Sequence, residues 1–204
     1  MVIFRGINTN YFNTQKIPPI KLDKFAKQNN IDRNKFIILL PGRLTYWKGQ
    51  KIFIEAINLL SKKKDIPLFE AIILGSDQGK NVYKKQLINL VQQYRLNKII
   101  KFIDRCEEMP IAYGIANLVC SCSSEPEAFG RVAVESQSMQ IPIIASDIGG
   151  SKETIINDKT GYLFKNKDPI DLANSIVAVM QKNHNSVKSV GFRSEEHTSE
   201  LQSQ

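Results

Sequence analysis

Short apolar runs alternate with longer amphipathic stretches from residue 36 onward, and this alternation restricts the fold more than any other feature. Phe36–Leu40, Phe69–Leu74, Ile99–Ile103, Leu118–Cys122 and Pro142–Ala145 are runs of four to six mainly apolar residues. Runs this short, punctuated by Pro41-Gly42 and Gly75, read as buried strands. Between them, Gln50–Lys62, Val82–Tyr94, Met109–Ala116 and Phe129–Met139 space their apolar residues as helices do. Tyr162–Phe164 follows a Thr160-Gly161 turn, and Asp168–Met180 reads as a helix with Pro169 in its first turn. Strands that alternate with helices predict an α/β domain with a parallel sheet covered on both faces. Before residue 35, Pro18-Pro19 is expected to break regular structure and Lys21–Gln28 to form a short helix.

Sheets of this kind bind ligands at the carboxyl ends of their strands. The rule selects Pro41–Lys48, Gly75–Gly79, Asp104–Glu108, Ser123–Gly130 and Ser146–Glu153. The net charge of +8 comes from 28 Lys and Arg against 20 Asp and Glu. The lysines are scattered; the run Lys62–Lys64 falls at an expected helix end, where cations suit the dipole. A nucleic-acid groove would cluster Arg and Lys with interleaved aromatics, so no nucleic-acid partner is expected. No apolar stretch approaches the roughly 20 residues of a membrane span, and Met1–Arg5 does not open a signal peptide. Cys106, Cys120 and Cys122 are odd in number and lack metal-type spacing, which suits reduced cytosolic thiols.

The last twelve residues differ in kind. Lys, Ile and Asn number 64 in residues 1–192, and Arg193–Gln204 contains none. At that composition the gap has odds under about one in a hundred. The peptide resembles the in-frame translation of a common short-read sequencing adapter. It is expected to be non-native and is set apart from the fold, which leaves His184 as the one credible histidine.

Three loops hold residues suited to chemistry. Gly42-Arg43-Leu44-Thr45-Tyr46-Trp47-Lys48-Gly49 places two cations between a strand and a helix N-terminus, an arrangement suited to a diphosphate. A solvated loop is the other reading. Ser124-Glu125-Pro126-Glu127-Ala128-Phe129-Gly130-Arg131 leads to Glu135, eight residues beyond Glu127. On a continuous helix they would lie roughly 12 Å apart, whereas glycosidase carboxylates lie about 5–9.5 Å apart. The two could bracket a longer ligand, with Gly130 leaving room for it. Alternatively, Glu127 favours the helix dipole while Arg131 and Glu135 form an i,i+4 pair. Asp147-Ile148-Gly149-Gly150-Ser151 permits a turn close to a ligand, with Ser151 as a helix cap, or is a plain turn.

In this order and spacing, the three stretches resemble the donor-binding domain of family 4 glycosyltransferases of the GT-B fold. Pro41–Gln50 is similar to the bacterial branch that builds cell-surface polysaccharides, lipopolysaccharide among them. The opening through Phe12 resembles the segment that joins the family's two domains. The resemblance implies a Rossmann-like fold, the C-terminal half of a GT-B enzyme. Residues 1–14 would be the inter-domain connection and residues 15–192 the nucleotide-sugar domain.

The resemblance also implies roles. Gly42, Arg43 and Lys48 would hold the donor diphosphate. Glu127, the catalytic candidate, would contact donor-sugar hydroxyls, with Ala128, Phe129, Gly130 and Arg131 supporting sugar and phosphate. Glu135 would bind the ribose, and Arg105-Cys106 would face the base. The family usually has Gly where this chain has Asp104, often Pro at Ala128, and often Asp at Asn8. The expected reaction transfers a sugar, with retention, from a nucleoside-diphosphate (NDP) sugar to a glycan or lipid-linked acceptor bound by an N-terminal domain. No DxD occurs, so no metal and no cofactor is expected. The chain would be cytoplasmic, or peripheral on the inner face of the membrane, and inactive alone. A non-catalytic nucleotide-binding fragment and a nucleotide-sugar 2-epimerase are the alternatives.

Overall fold

The computed structural model describes residues 6–79 and 81–182. The proposed adapter peptide and His184 lie outside them. Among the described residues, six strands form one sheet: β1 (Phe36–Pro41), β2 (Phe69–Leu74), β3 (Ile100–Ile103), β4 (Leu118–Ser121), β5 (Ile143–Ser146) and β6 (Tyr162–Phe164). Their order is β3-β2-β1-β4-β5-β6, and every pairing is parallel. The winding direction reverses between β1 and β4, so the loops after these strands diverge and leave a crevice at the switch point.

The strand period of two divides the core. Ile38 and Leu40 of β1, with Ala71 and Ile73 of β2, face α2 (Gln50–Leu60), α3 (Asn81–Gln93) and α7 (Pro169–Gln181). Ile37, Leu39, Ile72 and Leu74 face the other way, with α1 (Pro19–Gln28), α4 (Met109–Gly114) and α5 (Arg131–Ser138). Phe53, Ile54, Ile57 and Leu60 of α2 are fully buried. Each such side chain contributes about 1.5–3 kcal/mol by leaving water. The start of α7 is fixed by Asp168, whose carboxylate accepts from the Ile170 and Asp171 N–H groups.

Several boundaries depart from the sequence reading. Pro19 opens α1 rather than breaking it, because an N1 proline has no N–H to lose. Tyr46–Lys48 forms a 3₁₀ turn that apolar periodicity does not register. Gly130, in the left-handed region at φ 69°, starts α5 two residues later than Phe129. A four-residue helix, α6 (Ser151–Thr154), follows Gly149-Gly150; Ser151 lies within it and does not cap it.

Candidate functional site

The β1–α2 loop turns at Gly42-Arg43 and is anchored by buried Leu44. Arg43 is exposed and has no ion pair among the described residues. Lys48 behaves differently. Its aliphatic stem runs past Gly42, where any β-carbon would meet Lys48 Cδ at 3.6 Å. Its ammonium donates to Glu127 Oε1 at 2.7 Å and sits 4.4 Å from the Trp47 ring centroid. The same Glu127 oxygen accepts from the Ser123 hydroxyl. The two loops are joined by the Ser124 N–H, which donates to the Trp47 carbonyl at 2.7 Å.

Because α5 begins at Arg131, Glu127 lies off the helix and the 12 Å rise does not apply. Its carboxylate turns toward Lys48. Glu135, in the second turn of α5, is buried. It accepts from Arg131 Nη2 and from the Tyr113 hydroxyl, each at 2.8 Å. Burial first, and then the Glu135 charge, holds the Tyr113 phenol well above its ordinary range, so it remains a proton donor. Among the described residues, nothing accepts from the N–H groups of Phe129, Gly130, Arg131 and Val132. They are the unpaired donors expected at a helix N-terminus.

The Gly149-Gly150 loop packs directly against the backbone that carries Glu127 and Phe129. A β-carbon at Gly149 would lie 2.8 Å from Glu127 N, and one at Gly150 would lie 2.8 Å from Phe129 C. The Gly150 N–H donates to the Glu127 carbonyl at 2.8 Å. Gly130, by contrast, would place its β-carbon at ordinary contact distances, so its positive φ is what requires glycine.

A cleft of about 860 Å³ opens across the carboxyl ends of β1, β2 and β3 and the start of α5. Gly42, Arg43, Arg105, Cys106, Phe129, Arg131 and Glu135 line it; Lys48, Glu127, Ala128 and Gly130 do not. Asp104 also lines it and is ion-paired with Lys84. Burial pushes the Cys106 thiol up, so it stays protonated at neutral pH. Residues 6–8, Tyr11 and Phe12 also line it. This segment is docked on the domain: the Phe12 ring packs edge-on against Tyr113 at 5.9 Å, and the Phe12 carbonyl accepts from the Ser138 hydroxyl at 2.8 Å.

Gln50, Tyr113 and Tyr11 were not singled out in the sequence, and Ser123 entered only as the start of the Ser123–Gly130 loop. Tyr113 lay inside an apolar patch, and only its hydroxyl hinted at a buried partner. Among the described residues, no three His, Cys, Asp or Glu side chains gather as a metal site would require. No described helix is long and apolar enough to cross a membrane.

A doubly wound parallel sheet with an arginine-lined cleft at its switch point defines a Rossmann-like α/β domain, the class in which ligands bind at that place. Residues 22–195 match the family model of glycosyl transferases group 1, and the chain belongs to that family. It superposes on a glycosyltransferase from Rickettsia africae with a TM-score of 0.91 at 30% identity, covering 98% of this chain and 52% of that one. Anabaena HepE in complex with UDP-glucose superposes with a TM-score of 0.86 at 26% identity over the same shares. A D-inositol 3-phosphate glycosyltransferase of Corynebacterium efficiens is 26% identical over 154 residues, 74% of this chain and 36% of that protein. The chain thus spans about a third to a half of these relatives. Its Rossmann-like sheet superposes on about half of each of these two solved chains.

Proposed function

We propose that the chain is the donor-binding half of a retaining glycosyltransferase that moves a sugar from an NDP-sugar to a glycan or lipid-linked acceptor. The observation that carries this reading is the charge arrangement of the cleft. Arg43 and Arg105 line it without an ion pair among the described residues, while its carboxylates, Asp104 and Glu135, are each already paired with a cation, Lys84 and Arg131. Free N–H groups at the start of α5 add to the positive potential. A diphosphate matches that field.

In this reading Arg43 and Lys48 stabilise the charge that grows on the leaving diphosphate. The Phe129–Arg131 N–H groups support the phosphate and sugar, and Glu135 accepts from the ribose hydroxyls. Arg105-Cys106 faces the base, and Glu127 meets the donor sugar. Glu127, already bonded to Lys48 and Ser123, is poorly suited to be a nucleophile. Side-chain cations supply the counter-charge, so donor binding is independent of metal and unchanged by EDTA. The acceptor site and any peripheral contact with the inner membrane face belong to the rest of a cytoplasmic protein. The 204-residue chain therefore binds donor without transferring its sugar.

The test is consumption of UDP- and GDP-sugars, with and without glycan or lipid-linked acceptor, by this chain and by a full-length version. Acceptor-dependent release of UDP or GDP is expected from the full-length protein alone. Acceptor-dependent release by the 204-residue chain would contradict the half-site reading.

A further inference from the structure

The position of Lys48 does not suit simple phosphate capture. Its stem lies beside Gly42 at the cleft edge, but its charged end is turned onto Glu127, and both side chains are only 16% exposed. Arg43 is the cation of this loop that lines the cleft and is free of an ion pair among the described residues. A ligand that draws Lys48 to its phosphate must first separate it from Glu127. The carboxylate would then keep only the Ser123 hydroxyl in a partly buried place, which is costly.

We infer that the Lys48–Glu127 pair discriminates between an NDP-sugar and the bare NDP. This rests on the donor-site reading. An NDP-sugar offers two replacements at once: phosphate oxygens for the ammonium and sugar hydroxyls for the carboxylate. A bare NDP offers only the first and leaves Glu127 without its cation. The pair therefore penalises the product relative to the substrate. Once the sugar has gone, re-formation of the pair favours release of the nucleotide. Ser123 sets the size of the penalty, because its hydroxyl is what Glu127 retains when Lys48 leaves.

Substitutions at Glu127 and Ser123 should shift nucleotide affinity in opposite directions. Glu127→Gln removes the charge that holds Lys48, so UDP or GDP should bind about tenfold more tightly than to the wild type. The affinity advantage of UDP-glucose over UDP, or of GDP-mannose over GDP, should shrink. Ser123→Ala leaves Glu127 more dependent on Lys48, so the bare nucleotide should bind more weakly. Titration calorimetry on the 204-residue chain and both variants, with melting curves to verify folding, reads all of these. Weaker or unchanged UDP and GDP binding by a folded Glu127→Gln protein would overturn the inference. Should that variant not fold, Ser123→Ala decides alone, and unchanged or tighter nucleotide binding would overturn it. If the wild type binds neither UDP nor GDP, the donor-site reading itself falls, and this inference with it.

Discussion

Gln50 Nε2 donates to the carbonyl of Arg43 at 2.8 Å, while Gln50 Oε1 accepts from the Tyr83 hydroxyl at 3.4 Å. Gln50 is the first residue of α2 and only 1% exposed, so water cannot replace either partner. Burial holds the Tyr83 phenol up at about 12, which keeps it a donor. The contact pins the Arg43 backbone and leaves its guanidinium exposed at the cleft.

Gln50→Leu should cost about 1–3 kcal/mol of stability by stranding the Arg43 carbonyl and the Tyr83 hydroxyl. It should also weaken UDP or GDP binding. Gln50→Glu keeps the acceptor for Tyr83 but loses the donor to Arg43, and should weaken nucleotide binding as well. Denaturant melts paired with nucleotide titrations check both effects. Wild-type affinity in both folded variants would show that the tether does not position Arg43.

Tyr113→Phe removes the hydroxyl that Glu135 accepts from and adds no bulk. Stability should fall by about 1–3 kcal/mol. If Glu135 meets the ribose, affinity for uridine or guanosine nucleotides should fall too, by about threefold or more. Competition binding against the wild type measures this, and equal affinities would remove Glu135 from the ribose site.

Gly150→Ala should displace the segment that carries Glu127. Its new methyl group would lie 2.8–3.0 Å from Phe129 backbone atoms. A destabilisation of about 1–3 kcal/mol is expected, with weaker NDP-sugar binding. Unaltered melting and binding would mean that the loop yields freely.

Glu70, at the opposite end of the sheet, provides a pH test away from the cleft. Burial alone would raise its carboxyl, but hydrogen bonds from Lys101 and Lys35 outweigh this and hold it below its ordinary 4.5. A depressed carboxyl stabilises the fold above 4.5 and loses that contribution as pH falls through its folded value. Lys35 is shifted up from 10.5, chiefly by its bond to Glu70, so its contribution is lost only as pH rises beyond that. Glu70→Gln should therefore destabilise the chain by about 1–3 kcal/mol near neutrality. The difference should close below pH 4.5, and nucleotide affinity should not change. Melting curves from pH 3 to pH 8 would contradict this if the gap were constant.

The strands were legible because a buried parallel strand is a short apolar run, and Phe69–Leu74 is read from the sequence with the bounds it has in the fold. The cleft loops were legible because carboxyl ends of strands collect ligand groups, and Arg43, Arg105 and Glu135 do meet there. The partnerships were less accessible. Nothing in the spacing of Lys48 and Glu127 says that they face each other, since their contact depends on how β1 and β4 adjoin. Gly149-Gly150 announces a close approach, but the sequence does not say that the approaching atoms are those of Glu127 and Phe129. Gln50 reads as a polar residue at a helix start, and its burial follows from the packing of α3.

The most direct test of the donor-site account is calorimetric titration of UDP and GDP into the wild type, Arg43→Ala and Lys48→Ala. At least one nucleotide should bind the wild type. Arg43→Ala should weaken its binding by about 1–3 kcal/mol, the range for charge-assisted hydrogen bonds, and Lys48→Ala should weaken it by less, because the bare nucleotide must first separate Lys48 from Glu127. No binding of either nucleotide, or equal affinity in all three proteins, would contradict the account.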